Sequence, residues 1–211
     1  MYFISDMSQI WIRAVKPKLT ACFARFLYGG ENCQIGKNFK ADSLPRILVD
    51  KSANLRIGND VEFRRGVELR VHGKSRVVIG DGVRIDRGVR ILATNSSDVT
   101  VGSGVRIGMY SVLNGGDTIT IGARSLISGF VYLQTSMHRF VDSDKPIRDQ
   151  GYNHAPVTIG GGAWLASHVV VMPGVKIGVN AVVGSNAVVT HDVSESAVVG
   201  GVPAKPLSKI T

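Results

Sequence analysis

The sequence predicts an all-β fold: a parallel β-helix of about seven coils, with one looped-out arm and a short α-helical N-terminal segment. Three observations carry that prediction. First, between Val157 and Val189 every sixth residue is aliphatic: Ile159, Leu165, Val171, Ile177, Val183 and Val189. An amphipathic helix repeats every ~3.6 residues and a half-buried strand every ~2, so neither produces a period of six. Three hexads complete a coil of about 18 residues, whose short strands each send one aliphatic side chain inward. Second, a tetrad of the form aliphatic-x-aliphatic-Gly recurs at Leu55–Gly58, Val77–Gly80, Val99–Gly102, Ile119–Gly122 and Val157–Gly160. Its first intervals, 22, 22 and 20 residues, are one coil plus a few residues at a corner. Third, the last interval is 38 residues, one coil plus about 20 more, and an excursion of that length is usually functional or disordered.

Residues 1–30 form the helical segment. Phe3, Met7, Ile10, Trp11 and Ala14 share one helical face, opposite Ser5, Asp6, Gln9 and Arg13. Pro17 suits a first turn, and Leu19, Cys22, Phe23, Phe26 and Leu27 make a second stripe that Gly29 and Gly30 stop. Two readings stand. Either the helices pack on the β-helix or a neighbouring subunit and cap its end, or they form a peripheral membrane foot flanked by Arg13, Lys16, Lys18 and Arg25. The β-helix spans 31–195, with interior triplets such as Ile57/Phe63/Leu69, Ile79/Ile85/Ile91 and Val101/Ile107/Leu113. Stacked strands ~4.8 Å apart make the column roughly 30–35 Å tall. The arm occupies 134–156 and holds His138 and His154. Residues 196–211 form a tail that, with the N-terminal helices, is available to cover the open sheet edges.

With 211 residues the chain is long enough to bury one core. Glycine, 25 residues, has no Gly-X-Y period, which excludes collagen and assigns it to corners and close approaches. Only Cys22 and Cys33 are cysteines, so a disulfide scaffold is not expected and a reducing cytoplasm is. No apolar run approaches the roughly 18 residues that span a bilayer, and the N-terminus lacks a secretory pattern. A formal net charge of +9 suits a nucleic acid, an anionic coenzyme, an acidic glycan or a membrane surface. The aromatics are not interleaved with the basic residues as base stacking requires, so no nucleic-acid partner is expected.

His138 is the candidate catalytic residue. A general base needs a near-neutral pKa within hydrogen-bond reach of the proton it takes, and imidazole fits. Neither cysteine has a positional case as a nucleophile. His154 contacts substrate or anchors the loop, while His72, His168 and His191 read as corner or solvent-facing residues. No His-x4-His pair occurs, so no metal is expected. Trp164 lies one residue out of the interior phase and is read as a flat apolar wall or a subunit-interface residue.

The succession His138-Arg-Phe140, Pro146-Ile-Arg-Asp-Gln150-Gly151, Ile159-Gly160, Trp164-Leu-Ala-Ser167, Pro173-Gly174, Gly184 and Gly200-Gly-Val-Pro-Ala-Lys205 resembles the hexapeptide-repeat acetyltransferases over about 35–206. Within these it is most similar to galactoside and maltose O-acetyltransferases and to the O-acetyltransferases of exopolysaccharide and lipopolysaccharide loci. The resemblance implies a left-handed β-helix, acetyl-coenzyme A as donor and a homotrimer with its active sites in the clefts between subunits. It implies His138 as the catalytic base and Trp164 as the aromatic against the pantetheine arm. Ser167 and Ser185 match positions whose backbone groups face the pantetheine amides, and Gly184 allows the coenzyme to approach the backbone. Thr190 and Lys205 match positions near the adenosine phosphates, although Lys205 stands where relatives carry arginine and bidentate phosphate binding is lost.

On the acceptor side, Asn114, Tyr110 and Tyr132 lie on coils near the arm, and Asp142 and Asp144 bind sugar hydroxyls, orient His138 or merely solvate the loop. Arg65 stacks with Arg87, and Arg84 with Arg106. Like charges on adjacent rungs need a carboxylate or an anion between them, so Glu62 in the Arg84 column favours a salt-bridge ladder over an acidic acceptor. The expected function is a cytoplasmic, acetyl-coenzyme A-dependent O-acetyltransferase of a carbohydrate hydroxyl in bacterial surface polysaccharide biosynthesis. It could also lie peripherally at the inner face of the membrane. N-acetylation of an amino sugar, free or nucleotide-linked, is the alternative within the class. A non-catalytic scaffold or carbohydrate-binding β-helix is the alternative outside it.

Overall fold

The computed structural model describes residues 7–8 and 11–210. The chain winds as a β-solenoid of three faces. The first face holds seven parallel strands, from Cys33–Ile35 through Asn54–Ile57, Arg76–Ile79, Asp98–Val101, Ile119–Ile121 and Val157–Ile159 to Lys176–Ile177. Leu55, Val77, Val99, Ile119 and Val157 fall in one register column, so the tetrad intervals read from the sequence are the coil lengths. The second face starts at Lys40–Ala41 and includes Arg106–Ile107, Leu126–Ile127, Trp164–Leu165 and Val182–Val183. The third face also has seven strands and includes Glu68–Val71, Val112–Gly115, Tyr132–Gln134 and Val188–Val189. Inward residues from all three faces, such as Ile79, Ile85 and Ile91, are 1% exposed and join one continuous apolar core.

The tetrad glycines earn their place by contact. At Gly102, φ lies outside the left-handed region, but an added Cβ would stand 2.6 Å from the Ala123 nitrogen and 2.8 Å from its Cα. The equivalent glycines, such as Gly80 and Gly160, meet the backbone of the next coil in the same way. The left-handed corner conformation is taken two residues later, by Asp60, Gly82, Gly104, Arg124, Gly162 and Asn180 in turn. Gly102→Ala is therefore expected to push two coils apart and lower stability by about 1–3 kcal/mol. Gly30→Ala, with nothing within 4 Å, should change little, and thermal unfolding of the two variants checks both.

The N-terminal segment departs from expectation in two ways. Instead of two helices flanking Pro17, a π-helical stretch Trp11–Val15 runs directly into one α-helix, Lys16–Tyr28, with Pro17 in its first turn, where no N–H is needed. Within that helix Pro17, Ala21 and Ala24 are buried, whereas Leu19, Cys22, Phe23, Phe26 and Leu27, the expected packing stripe, are exposed. Ala21 and Ala24 join the core cluster beside Phe39 and Ala41, closing the end of the solenoid. A helix must come close to plug that end, and alanines allow an approach that Phe23 or Phe26 would block. Of the expected first stripe, Phe3, Ile10 and the Ala14 side chain lie outside the described residues, as do residues 1–6 and the Arg13 side chain; Met7 and Trp11 are exposed. No helix among the described residues is long and apolar enough to cross a membrane.

At the other end the second face continues past residue 195 with Ala197–Gly200, and Lys205–Lys209 folds back antiparallel on it. The tail is thus a hairpin strand that covers the last sheet edge.

Candidate active site

The arm leaves the corner between the third and first faces. Its root is Thr135, fully buried, whose hydroxyl accepts the Gly116 and Asp117 N–H groups at 2.9 and 3.0 Å and donates to the Asn114 carbonyl at 2.6 Å. Gly116 leaves room for the arm, since a Cβ there would collide with Ser136 Oγ and stand 3.2 Å from His154 Nδ1. From this root Ser136–His138 and Tyr152–His154 pair antiparallel. His138 sits opposite Tyr152, the two rings 4.1 Å apart and tilted by 36°. The phenol wall limits the orientations open to an otherwise exposed imidazole. Beyond the hairpin, Gln150 braces the loop: its Oε1 accepts the N–H groups of Val141 and Asp142, and its Nε2 donates to the carbonyls of Asp142 and Lys145.

The expected acceptor residues divide. Asn114 and Tyr132 sit on adjacent rungs of the third face just below the arm root, with Asn114 Nδ2 donating to Tyr132 Oη at 3.0 Å. They line a groove of about 170 Å³ with Arg70, Arg90 and Glu68. Burial works against the Glu68 charge, but Arg70 at 2.6 Å, with Arg90 and Arg46, outweighs it and holds the carboxyl below its ordinary range. Asp142 is committed to the loop, its carboxylate accepting the Asp144 N–H and pairing with Lys145 at 3.3 Å. His154 Nδ1 and Ser136 Oγ are 2.8 Å apart, which makes His154 part of the root of the arm. Tyr110 belongs elsewhere, in a stack with Phe130 and His168 at the corner between the second and third faces.

The expected coenzyme residues gather mainly on another part of the surface. Trp164 is outward on the second face, 47% exposed, with Nε1 donating to Ser128 Oγ at 3.2 Å. Ser167, Gly184 and Ser185 lie at the corner that follows, where the Ser167 carbonyl accepts the Asn186 N–H. Lys205 pairs with Gly200 beside the same corner, and Ala204 N–H reaches the Val188 carbonyl. Thr190 is apart from these, past the third-face strand Val188–Val189, its hydroxyl 2.9 Å from His191 Nδ1. Below Trp164 a groove of about 330 Å³ runs down the second face past Leu126, Arg106 and Arg84. Arg84 pairs with Glu62 at 3.5 Å, as the ladder reading expects, whereas among the described residues no carboxylate pairs with Arg106.

Burial pushes the Cys33 thiol up to about 11, so it is protonated at neutral pH and no nucleophile. Among the described residues no three His, Cys, Asp or Glu side chains group as metal ligands. Thr135, Tyr152 and Ser128 were not singled out from the sequence, and Gln150 was seen only as part of a motif. Their roles rest on contacts between distant residues, which leave no periodic signal.

This geometry, a three-faced solenoid with one arm, is similar to that of hexapeptide-repeat proteins. Residues 156–191 match the family described as bacterial transferase hexapeptide (six repeats). The chain resembles acetyltransferases of that kind: over 94 residues, 44% of this chain and 45% of the relative, it is 38% identical to galactoside O-acetyltransferase of Escherichia coli (strain K12). It spans about half or less of the length of such relatives. Among solved structures its fold is similar to that of the polySia specific acetyltransferase NeuO, with a TM-score of 0.61 and 24% identity over 84% of this chain and 74% of that one. It is also similar to a variant of AntD, an N-acyltransferase from Bacillus cereus solved with dTDP and coenzyme A, with a TM-score of 0.60 and 20% identity over 84% of each chain.

Proposed function

We propose that this protein transfers acetyl from acetyl-coenzyme A to a carbohydrate hydroxyl, in the cytoplasm and in bacterial surface polysaccharide biosynthesis, with His138 as general base. One observation carries the reading. His138 is on the corner between the third and first faces, and Trp164 is on the second face, which is the side opposite that corner. The core of the solenoid separates them, so one chain cannot bring its own imidazole to a thioester lying on its own indole. Two chains side by side can, and a closed ring of three satisfies every such pair. The homotrimer is therefore part of the proposal.

In that cleft the pantetheine arm lies along Trp164, with the backbone at Ser167, Gly184 and Ser185 beside it and Lys205 toward the phosphates, whereas Thr190, at the corner after the third face, is too far round the solenoid to join them on the same chain. Asn114, Tyr132 and His154 border the acceptor on the partner side. The imidazole of His138 takes the proton of the acceptor hydroxyl as its oxygen attacks the thioester carbonyl. The tetrahedral oxyanion collapses, the carbon–sulfur bond breaks, and the imidazolium returns its proton to the departing thiolate. No covalent acyl-enzyme is needed, in keeping with a protonated, buried Cys33.

Mass spectrometry tests this on a panel of free sugars, nucleotide sugars and acidic oligosaccharides incubated with acetyl-coenzyme A. A gain of one acetyl group that hydroxylamine removes supports O-transfer. A gain that resists hydroxylamine makes the protein an N-acetyltransferase of an amino sugar instead. No product and no thermal shift with coenzyme A would leave a non-catalytic scaffold.

A further inference from the structure

We infer that the outward face of the N-terminal helix is a docking surface for an anionic lipid bilayer. The helix is inverted relative to an ordinary surface helix. Its small residues, Ala21 and Ala24, are spent on closing the core, and its large ones are left outside. Ile12, Leu19, Phe23 and Phe26 are 55%, 56%, 54% and 83% exposed, an unusual amount of apolar surface for one short segment. Because the buried face points into the end of the solenoid, the opposite face points out of that end. Solenoids packed side by side leave such a surface uncovered.

Charge selects the occupant. Residues 7–30 hold four basic residues and no acidic one. At ~3.6 residues per turn, Lys16 and Lys18 fall on opposite flanks of the ridge formed by Leu19, Phe23 and Phe26, where their ammonium groups can reach lipid phosphates while the ridge enters the acyl boundary. Beside the start of the helix a groove of about 690 Å³ is lined by Lys16, Lys40, Arg64, Arg65 and Arg87 together with Asp42, Glu62 and Asp86. Lys40 and Arg64 pair there with Glu62 and Asp42, whereas among the described residues no carboxylate pairs with Arg65 or Arg87, which leaves these two for headgroups. A second copy of this chain is the poorer occupant, since face-to-face packing would bring together two segments that each carry four basic and no acidic residues over 7–30. Arg25, by contrast, is turned inward and donates to the Gly36 carbonyl, fixing the helix to the first coil.

The test is sedimentation of the full chain with vesicles of phosphatidylcholine alone and of phosphatidylcholine mixed with phosphatidylglycerol. Binding to the mixed vesicles, weakened by salt, is expected, with little binding to phosphatidylcholine alone. Phe26→Asp should abolish it, while Lys16→Glu and Lys18→Glu should weaken it about fivefold each. Phe26 is outside the core, so thermal unfolding of Phe26→Asp should match wild type and exclude misfolding as the cause. The proposal is overturned if wild type ignores mixed vesicles or if Phe26→Asp binds them as wild type does. It is equally overturned if Phe26→Asp breaks apart a wild-type oligomer, which would make the ridge an interface between copies.

Discussion

Replacing His138 with alanine is expected to lower kcat by about 10²–10⁴-fold, the range a positioned general base contributes. The side chain is exposed on the arm beside the Tyr152 ring, so its removal opens no cavity in the core. The thermal shift with coenzyme A should match wild type, because in the proposed cleft the pantetheine arm lies along the Trp164 face of a second chain. Loss of kcat with unchanged coenzyme affinity is the signature of a group acting at the transition state. His154→Ala gives the contrast. Its partner is Ser136 at the arm root, so its loss should loosen the arm and raise the acceptor KM more than it lowers kcat. If His138→Ala turns over at a near-normal rate, the base lies elsewhere.

The second large effect is expected at Trp164. Its indole is half exposed on the second face and held by a single hydrogen bond to Ser128. Few interior contacts explain a tryptophan there, but a slender apolar chain lying on it would. Trp164→Ala should raise the KM for acetyl-coenzyme A about tenfold or more, from the apolar contact area lost. Steady-state kinetics at saturating acceptor separates this from the His138 defect, since kcat should fall much less.

Why these two side chains were legible, and others were not, follows from how each is encoded. The interior phase is written in every coil, so Ile85, Ile107 and Ile127 identify themselves, and Trp164 stands out by lying one residue off that phase. The arm is legible as an interval that is too long. The tetrad glycines were visible as a pattern, but the cause, contact with the next coil's backbone, needed coordinates. Hydropathy marks Leu19, Phe23 and Phe26 as one stripe without saying whether the protein covers it, and at this helix Ala21 and Ala24 take the buried side. The root of the arm was hidden for another reason. Thr135 holds Gly116 and Asp117 across a full coil, and Gln150 braces Asp142 from the other side of the loop, through contacts that no repeat advertises.

Mixed oligomers test the central claim, a site shared between chains, most directly. His138→Ala and Trp164→Ala chains are unfolded together, refolded as a mixture and assayed for acetyl transfer beside each parent at acetyl-coenzyme A well below its KM, where the Trp164→Ala parent keeps about a tenth of wild-type activity or less. An active site built from the imidazole of one chain and the indole of the next regains about a quarter of wild-type activity, because one adjacent pairing in four restores both groups in a random ring. Activity no higher than that of the parents would mean that both groups must come from one chain, and the shared cleft would have to be abandoned.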